Sequence, residues 1–181
     1  MSRVGKIPIA VPAGITITAS QDEVKVKGPK GELSRVFDAK LVGIAVEGGK
    51  VVISRKGEDR PFRAAQGLMR ALVNNMVTGC VAGFKKELDI NGVGYQAKVA
   101  GQKLSLQIGF CHPVEVVMPQ GIKIEATTPT HLVISGPDRQ LVGQIASNIR
   151  GVRPPEPYNA KGIKYSDEVI RRKAGKTVAA K

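Results

Sequence analysis

The sequence of 181 residues contains no tryptophan, and aromatic residues make up only 4% of it. The core therefore has to be built from aliphatic side chains, and few rings remain for stacking single-stranded bases. Acidic residues are also scarce, because 15 Asp and Glu stand against 28 Lys and Arg and leave a formal net charge of +13. Such an excess favours an anionic partner, which can be nucleic acid, an anionic membrane surface or an acidic protein.

Cysteine occurs only at positions 80 and 111, too few for the disulfide framework of a small secreted domain, so we expect both thiols to be reduced. Near the start of the chain, Pro8, Pro12 and Gly14 interrupt the apolar run that a signal peptide would need. The uncharged stretch 71–84 is shorter than the ~20 apolar residues that span a bilayer. The sequence therefore predicts a soluble intracellular protein.

Strand-like and helix-like patterns follow one another in two cycles along the chain. In the first cycle, alternating apolar and polar residues predict strands over 14–18, 23–31 (of which 28–31 form a turn), 33–37, 41–46 and 50–54. Gly48 and Gly49 predict a hairpin turn between the last two of these strands. A helical period then begins near Asp59 and Pro61 and ends at Gly79. Its predicted apolar face consists of Ala65, Leu68, Met69, Leu72, Val73 and Met76.

The second cycle repeats this order. Its predicted strands lie over 86–90, 96–99, 103–108, 114–118, 122–125 and 132–135. The helix that follows runs from about Asp138 to Gly151, and its predicted apolar face consists of Leu141, Val142, Ile145 and Ile149.

The two cycles also match in their residues. The segment 12–17 (PAGITI) corresponds to 119–124 (PQGIKI), and 24–30 (VKVKGPK) corresponds to 132–138 (LVISGPD). A repeat of about 107 residues is too long for a solenoid unit, so it indicates duplication of a small domain. We therefore predict an α+β fold of two duplicated domains, each a mainly antiparallel sheet packed against one helix. The expected limits are 1–82, 83–152 and a basic C-terminal extension, 153–181.

Positive charge is concentrated in the last part of the chain. Residues 1–82 hold 13 basic and 7 acidic side chains, residues 83–149 hold 6 and 5, and residues 150–181 hold 9 and 3. Prolines at 154, 155 and 157 force extended backbone, so we expect an arm rather than part of a core. Cations on such an arm can follow phosphates, with Tyr158 and Tyr165 as stacking faces, although a solvated tail that only aids solubility is the alternative.

No pattern in the sequence predicts catalysis or a bound cofactor. The letters GKT at 175–177 resemble the end of a phosphate-binding loop, but Ile170 stands where that motif needs glycine. The segment 92–97 (GVGYQA) has the letters of a dinucleotide fingerprint without its helix, so we interpret it as a tight strand connection. Neither a catalytic triad nor a separate carboxylate pair is evident.

We expect no metal site either. A metal ion would have to be bound by Cys80, Cys111, His112 and His131 together. These residues lack the paired Cys and His spacings that are typical of metal sites. Both histidines are expected at the surface or at strand edges.

Four segments carry a family resemblance. They are 2–12 (SRVGKIPIAVP), 26–31 (VKGPKG), 92–95 (GVGY) and 155–165 (PEPYNAKGIKY). Together, in this order and spacing, they resemble the bacterial form of the universal family of large-subunit ribosomal proteins numbered six, over essentially the whole chain. In one departure, Asn159 and Ala160 stand where this family usually has Lys-Gly, so we expect one phosphate contact to be lost there.

The resemblance implies a structural protein of the cytoplasmic ribosome, present as a monomer in the large subunit. It implies docking on large-subunit ribosomal RNA near the sarcin–ricin loop and the stalk base, next to neighbouring ribosomal proteins and close to the translation-factor site, without DNA or membrane partners. Folded RNA would be recognised by its shape and phosphates. The predicted RNA-binding residues are Arg150, Arg153, Tyr158, Lys161, Gly162, Lys164, Tyr165, Arg171, Arg172, Lys173 and Lys176.

Two other classes of function are alternatives for a basic chain of this kind. An intracellular adaptor could use the same charge to bind an acidic protein or an anionic membrane, but a membrane adaptor would need a basic amphipathic helix, and prolines break the cationic segment here. An enzyme would need converging polar residues, which the sequence does not predict.

Overall fold

The computed structural model describes residues 4–20 and 22–175. These residues form two compact units, one of 4–84 with 137–139 and the other of 85–136 with 140–175. The order of strands and helices along the chain confirms the α+β fold class, with two helices and mainly antiparallel sheets in two repeated parts. The domain limits expected from the sequence stay predictions.

The first unit contains six strands and one long helix. After a short 3-10 helix, Val4–Lys6, the elements are β1 Ile9–Ala10, β2 Thr16–Ala19, β3 Glu23–Gly28, β4 Gly31–Val36, β5 Val42–Glu47, β6 Lys50–Arg55 and α1 Arg60–Val81. The strands form two antiparallel sheets, in the orders β1-β6-β5 and β2-β3-β4. The predicted hairpin turn between β5 and β6 is confirmed, since Gly48 and Gly49 both have positive φ there.

The core of this unit lies between the strands and α1. Val24 and Val26 of β3 and Val51 of β6 are buried together with one face of α1, which consists of Met69, Val73, Met76, Val77 and Cys80. A buried amide, that of Gln66, donates to the Ile53 carbonyl at 2.8 Å and so remains hydrogen-bonded.

The prediction that Leu68 belongs to this core is wrong, because its side chain is 60% exposed. The buried face is centred on Val73 and Cys80, and Leu68 precedes Met69 by one residue, a rotation of about 100° around the helix. Ala65 and Leu72 lie at the margin of the face and are partly buried. The sequence pattern was therefore displaced around the helix by a fraction of a turn.

The second unit has seven strands and one helix. Its elements are β7 Phe84–Asn91, β8 Gln96–Ala100, β9 Lys103–Gln107, β10 Val114–Val117, β11 Lys123–Thr128, β12 His131–Gly136, α2 Arg139–Val152 and β13 Gly162–Tyr165. One sheet has the order β10-β9-β8 and the other β11-β12-β7-β13. The segment 92–95 connects β7 to β8, which confirms the interpretation of its glycines as a strand connection.

The expectation that the C-terminal segment lies outside any core is wrong for β13 and for Ala160 before it. β13 pairs antiparallel with β7, and Ile163 lies opposite Ile90 and is fully buried. Ala160 and Gly162 are buried beside it. The prolines do force an irregular path, but only as far as 157, and the short strand that follows is hidden in the sequence by its flanking lysines.

Candidate nucleic-acid interface

The segment 153–165 forms a loop that closes on itself before it enters β13. The Ile163 amide donates to the Arg153 carbonyl at 2.8 Å, and the Glu156 amide donates to the Lys161 carbonyl at 2.9 Å. Gly162 makes this closure possible, because its φ is 137° and a Cβ there would lie 2.6 Å from the Pro154 carbonyl oxygen. The loop therefore has a fixed frame that leaves Tyr158 and Lys161 exposed.

Ala160 shows why glycine suits the position where this sequence departs from the family pattern. Its φ is 59°, and it is the one residue other than glycine with a positive φ among those that the structure describes. A left-handed conformation costs an L-residue roughly 1–2 kcal/mol. The alanine is retained in this conformation by the hydrogen bond from its amide to the Glu156 carbonyl, at 2.9 Å.

Arg150, a predicted RNA contact, is paired within the protein. Its Nε donates to Glu168 Oε2 at 2.8 Å and its Nη2 donates to Oε1 at 2.5 Å, a two-bond arrangement that suits guanidinium and carboxylate. This hydrogen bonding lowers the pKa of Glu168 and raises the pKa of Arg150. The guanidinium also lies 5.8 Å from the centre of the Tyr165 ring. Arg150 therefore ties α2 to the segment after β13.

Lys164 and Tyr165 are also engaged inside the second unit. Lys164 Nζ lies 3.8 Å from Asp89, whose other carboxylate oxygen is 2.8 Å from His131 Nδ1. Lys86 lies over the Tyr165 ring at 5.3 Å from its centre. Both predicted site residues thus stabilise the contact between β13 and its neighbours.

Arg153 lies between two aromatic rings. Its guanidinium carbon is 5.5 Å from the centre of the Tyr95 ring and 5.3 Å from that of Phe110, and Nη1 donates to the Gly109 carbonyl at 3.4 Å. These distances suit cation–π contacts. Arg153 therefore joins the loops 92–95 and 108–112 to the end of α2.

The remaining predicted cations among the described residues are exposed to solvent. Arg171, Arg172 and Lys173 are exposed, and the Lys173 amide donates to the Pro157 carbonyl at 2.9 Å, so their backbone is tied to the loop 153–161. Lys176 lies outside the described residues. In the part of the chain that the structure covers, no carboxylate pairs with Lys161 or with these three cations.

Sequence reasoning missed the residues that hold this region together. Glu168 was not singled out, nor were Tyr95 and Phe110, which flank Arg153. The glycines near Tyr95 were a signal in the sequence, because Gly92 and Gly109 leave room for its ring. A Cβ at Gly92 would lie 2.5 Å from that ring, and a Cβ at Gly109 would lie 3.1 Å from it. No sequence pattern distinguishes a cation that binds phosphate from one that pairs with a distant carboxylate.

Residues 4–20 and 22–175 contain neither a candidate metal site nor a candidate membrane-spanning helix. Histidine, cysteine and acidic side chains do not gather there in a group of three that could hold a metal ion. No helix in those ranges is both long and apolar enough to cross a membrane.

Comparison with known proteins gives consistent matches along almost the whole chain. A family model described as "Ribosomal protein L6" matches residues 11–83 and 91–166. The "Large ribosomal subunit protein uL6" of Clostridium perfringens (strain SM101 / Type A) is 52% identical over 178 residues, which cover 98% of this chain and 99% of that protein. Proteins of the same name from Trichlorobacter lovleyi and Halalkalibacterium halodurans are 51% and 49% identical over 177 residues, covering 98% of this chain and 98% and 99% of their own lengths. The first stretch contains β2 to β6 and α1, and the second contains β8 to β12, α2 and β13.

Proposed function

Because this chain belongs to the ribosomal protein L6 family, we propose that it is a structural component of the large ribosomal subunit and binds large-subunit ribosomal RNA near the sarcin–ricin loop and stalk base. The observation that carries the proposal is the group of unpaired cations, Lys161, Arg171, Arg172 and Lys173, on backbone tied to a folded loop. Cations without carboxylate partners are free to neutralise phosphate. Neighbouring proteins of the stalk base would complete the contacts of this monomer.

Within this proposal the predicted site residues have two roles. Lys161, Arg171, Arg172 and Lys173 contact phosphates, while Arg150, Lys164 and Tyr165 keep the loop and β13 in place. Gly162 supports the same frame through its unusual φ. A rigid frame lowers the entropy lost when the cations engage RNA, so the contacts fix the relative position of RNA helices near the translation-factor site. The role requires no chemical step.

Salt dependence of binding tests the phosphate contacts. Replacing Lys161 with Gln in the full chain should weaken binding to large-subunit RNA. It should also make the plot of log K against log salt shallower, reducing the magnitude of its negative slope by about 0.7–0.9. The matched control is Lys98→Gln, an exposed cation on β8 of the same unit. Replacing Arg171, Arg172 and Lys173 together should reduce the magnitude of this slope further. The folding stability should hardly change, because substitutions of exposed charges alter it by only about 0.5 kcal/mol.

Two results would contradict the proposal. One is a Lys161→Gln variant with the full salt slope of the wild type. The other is an equal loss for Lys98→Gln, which would indicate attraction by net charge without a site. Sedimentation of the tagged wild-type protein with large subunits at moderate salt is the accompanying measurement, and failure to sediment with them would contradict the assignment to the subunit.

A further inference from the structure

Four side chains of the second unit pack against one another in a row, although the chain contains few aromatic residues. Arg153 lies between Tyr95 and Phe110, and the rings of Phe110 and His112 are stacked with 6.5 Å between centres and 20° between planes. We call Tyr95, Arg153, Phe110 and His112 the aromatic stack. The sequence has only three Tyr, four Phe and two His, so a third of these rings meet here.

The loops that carry the aromatic stack are shaped to hold it. Gly109 has a φ of 81°, and a Cβ there would lie 3.1 Å from the Tyr95 ring and 3.4 Å from Arg153 Nη1. Tyr95 and Arg153 are the partly buried members of the stack. Phe110 is 46% exposed, and His112 beside it is exposed as well. These two exposed members of the stack therefore present aromatic surface to solvent.

Proteins use this combination of groups to bind unpaired bases. Single-stranded positions in folded RNA are recognised by stacking on aromatic rings or on the plane of an arginine, and the aromatic stack offers both. The arginine at its centre also keeps donors for phosphate or for a base edge, because its described contact uses one of five N–H groups. The net charge of +13 favours a polyanion such as RNA as the partner of this surface.

We propose that Phe110 and His112 form a stacking site for one unpaired nucleobase of large-subunit RNA, with Arg153 and Tyr95 as positioning residues. The proposal rests on the RNA-binding function proposed above and adds a contact that reads a base and not only phosphates. The hydrogen bond from the Ile163 amide to the Arg153 carbonyl brings the backbone near Lys161 close to Arg153. Lys161 can therefore contact a phosphate of the same RNA whose base stacks on Phe110 and His112.

The absence of tryptophan allows a direct test in the full chain. Phe110→Trp places a single tryptophan, excited at wavelengths where the three tyrosines do not absorb, at the exposed Phe110 position. Titration with protein-free large-subunit RNA should strongly quench the tryptophan emission, because a stacked base quenches indole. The matched control is Val117→Trp, at a 66% exposed position on β10 of the same unit. Its emission should change little. Equal emission changes in the two variants, or an increase for Phe110→Trp, would overturn the proposal.

Removal of the ring gives a second, independent measurement. Phe110→Leu should weaken RNA binding at least about fivefold without altering the salt slope, because stacking displaces no counterions. Wild-type affinity for RNA would overturn the proposal. If this variant bound RNA like wild type but failed to join large subunits, the surface would belong to a protein partner, which also overturns it. Should Phe110→Leu unfold, the quenching in Phe110→Trp, which retains a ring, still decides.

The experiments distinguish a failure of the proposed RNA-binding function from a failure of the stacking site alone. If wild type does not bind large-subunit RNA, the proposed function itself is wrong. If wild type binds and Lys161→Gln lowers the salt slope while both Phe110 variants behave like their controls, only the stacking site is wrong.

Discussion

Replacement of Ile163 by alanine tests whether β13 is a necessary part of the second unit. The side chain of Ile163 is fully buried, and its residue lies opposite Ile90 in the pairing of β13 with β7. Ile163→Ala removes three buried carbon atoms. Their transfer to water accounts for roughly 2 kcal/mol, and the cavity left behind brings the expected loss of unfolding free energy to about 2–5 kcal/mol.

The control for this variant lies six residues further along the same segment. Val169 is 94% exposed, so Val169→Ala should change the unfolding free energy by less than about 0.5 kcal/mol. The two variants shorten an aliphatic side chain in the same part of the chain but differ in burial. Their comparison therefore isolates packing from any general effect of altering the segment.

Urea denaturation followed by tyrosine fluorescence measures the effect in the right unit. All three tyrosines, at positions 95, 158 and 165, belong to the second unit, and the chain has no tryptophan. The midpoint for Ile163→Ala should fall, with little change in the slope of the transition. If Ile163→Ala and Val169→Ala unfolded at the same urea concentration as the wild type, β13 would contribute nothing to the core and the segment would be an arm after all.

Three further predictions concern stability and are measured by the same denaturation, followed by circular dichroism. Glu168→Gln should cost about 1 kcal/mol at pH 7. Because pairing with Arg150 lowers the pKa of Glu168 in the fold, the unfolded carboxylate, with its pKa of about 4.3, takes up protons first; wild type should therefore lose this advantage progressively as the pH falls from about 5 through the lowered folded pKa. Leu68→Ala should stay within about 0.5 kcal/mol of wild type, whereas Ile145→Ala should cost about 2–5 kcal/mol; equal effects would contradict the burial pattern described. Gly109→Ala should cost roughly 1–2 kcal/mol, since φ is 81° there, and an unchanged midpoint would argue against this backbone conformation.

Local patterns in the sequence predicted the parts of the fold that local physics decides. Period-two alternation and glycine pairs marked the strands and the hairpin turn at Gly48 and Gly49, because these depend on residues next to one another in the chain. The family was identified from short motifs and confirmed by matches along nearly the full length. Helix faces were predicted less accurately, as Leu68 shows.

The sequence could not predict what distant parts of the chain do to one another. β13 has only four residues and obtains its stability from pairing with β7, which its own pattern does not reveal. The pairing of Arg150 with Glu168 and the position of Arg153 between two rings likewise depend on loops brought together by the fold. Net charge therefore pointed to the segment 150–181, whose RNA binding stays a prediction, while the distinction between cations that hold the frame and cations that face solvent required coordinates.

The pairing of β13 with β7 also fixes an order of events during synthesis. Because the chain is made from its N-terminus, the first unit has most of its residues early, whereas the second unit waits for a strand that comes after all of its other elements. Ile90 and Ile163 are more than seventy positions apart, and contacts of such long range form slowly. Until residue 162 has been made, β7 has an unpaired edge of the kind that promotes aggregation. A chain that stops before β13 would thus be a candidate for chaperone binding and degradation even though every earlier element is intact.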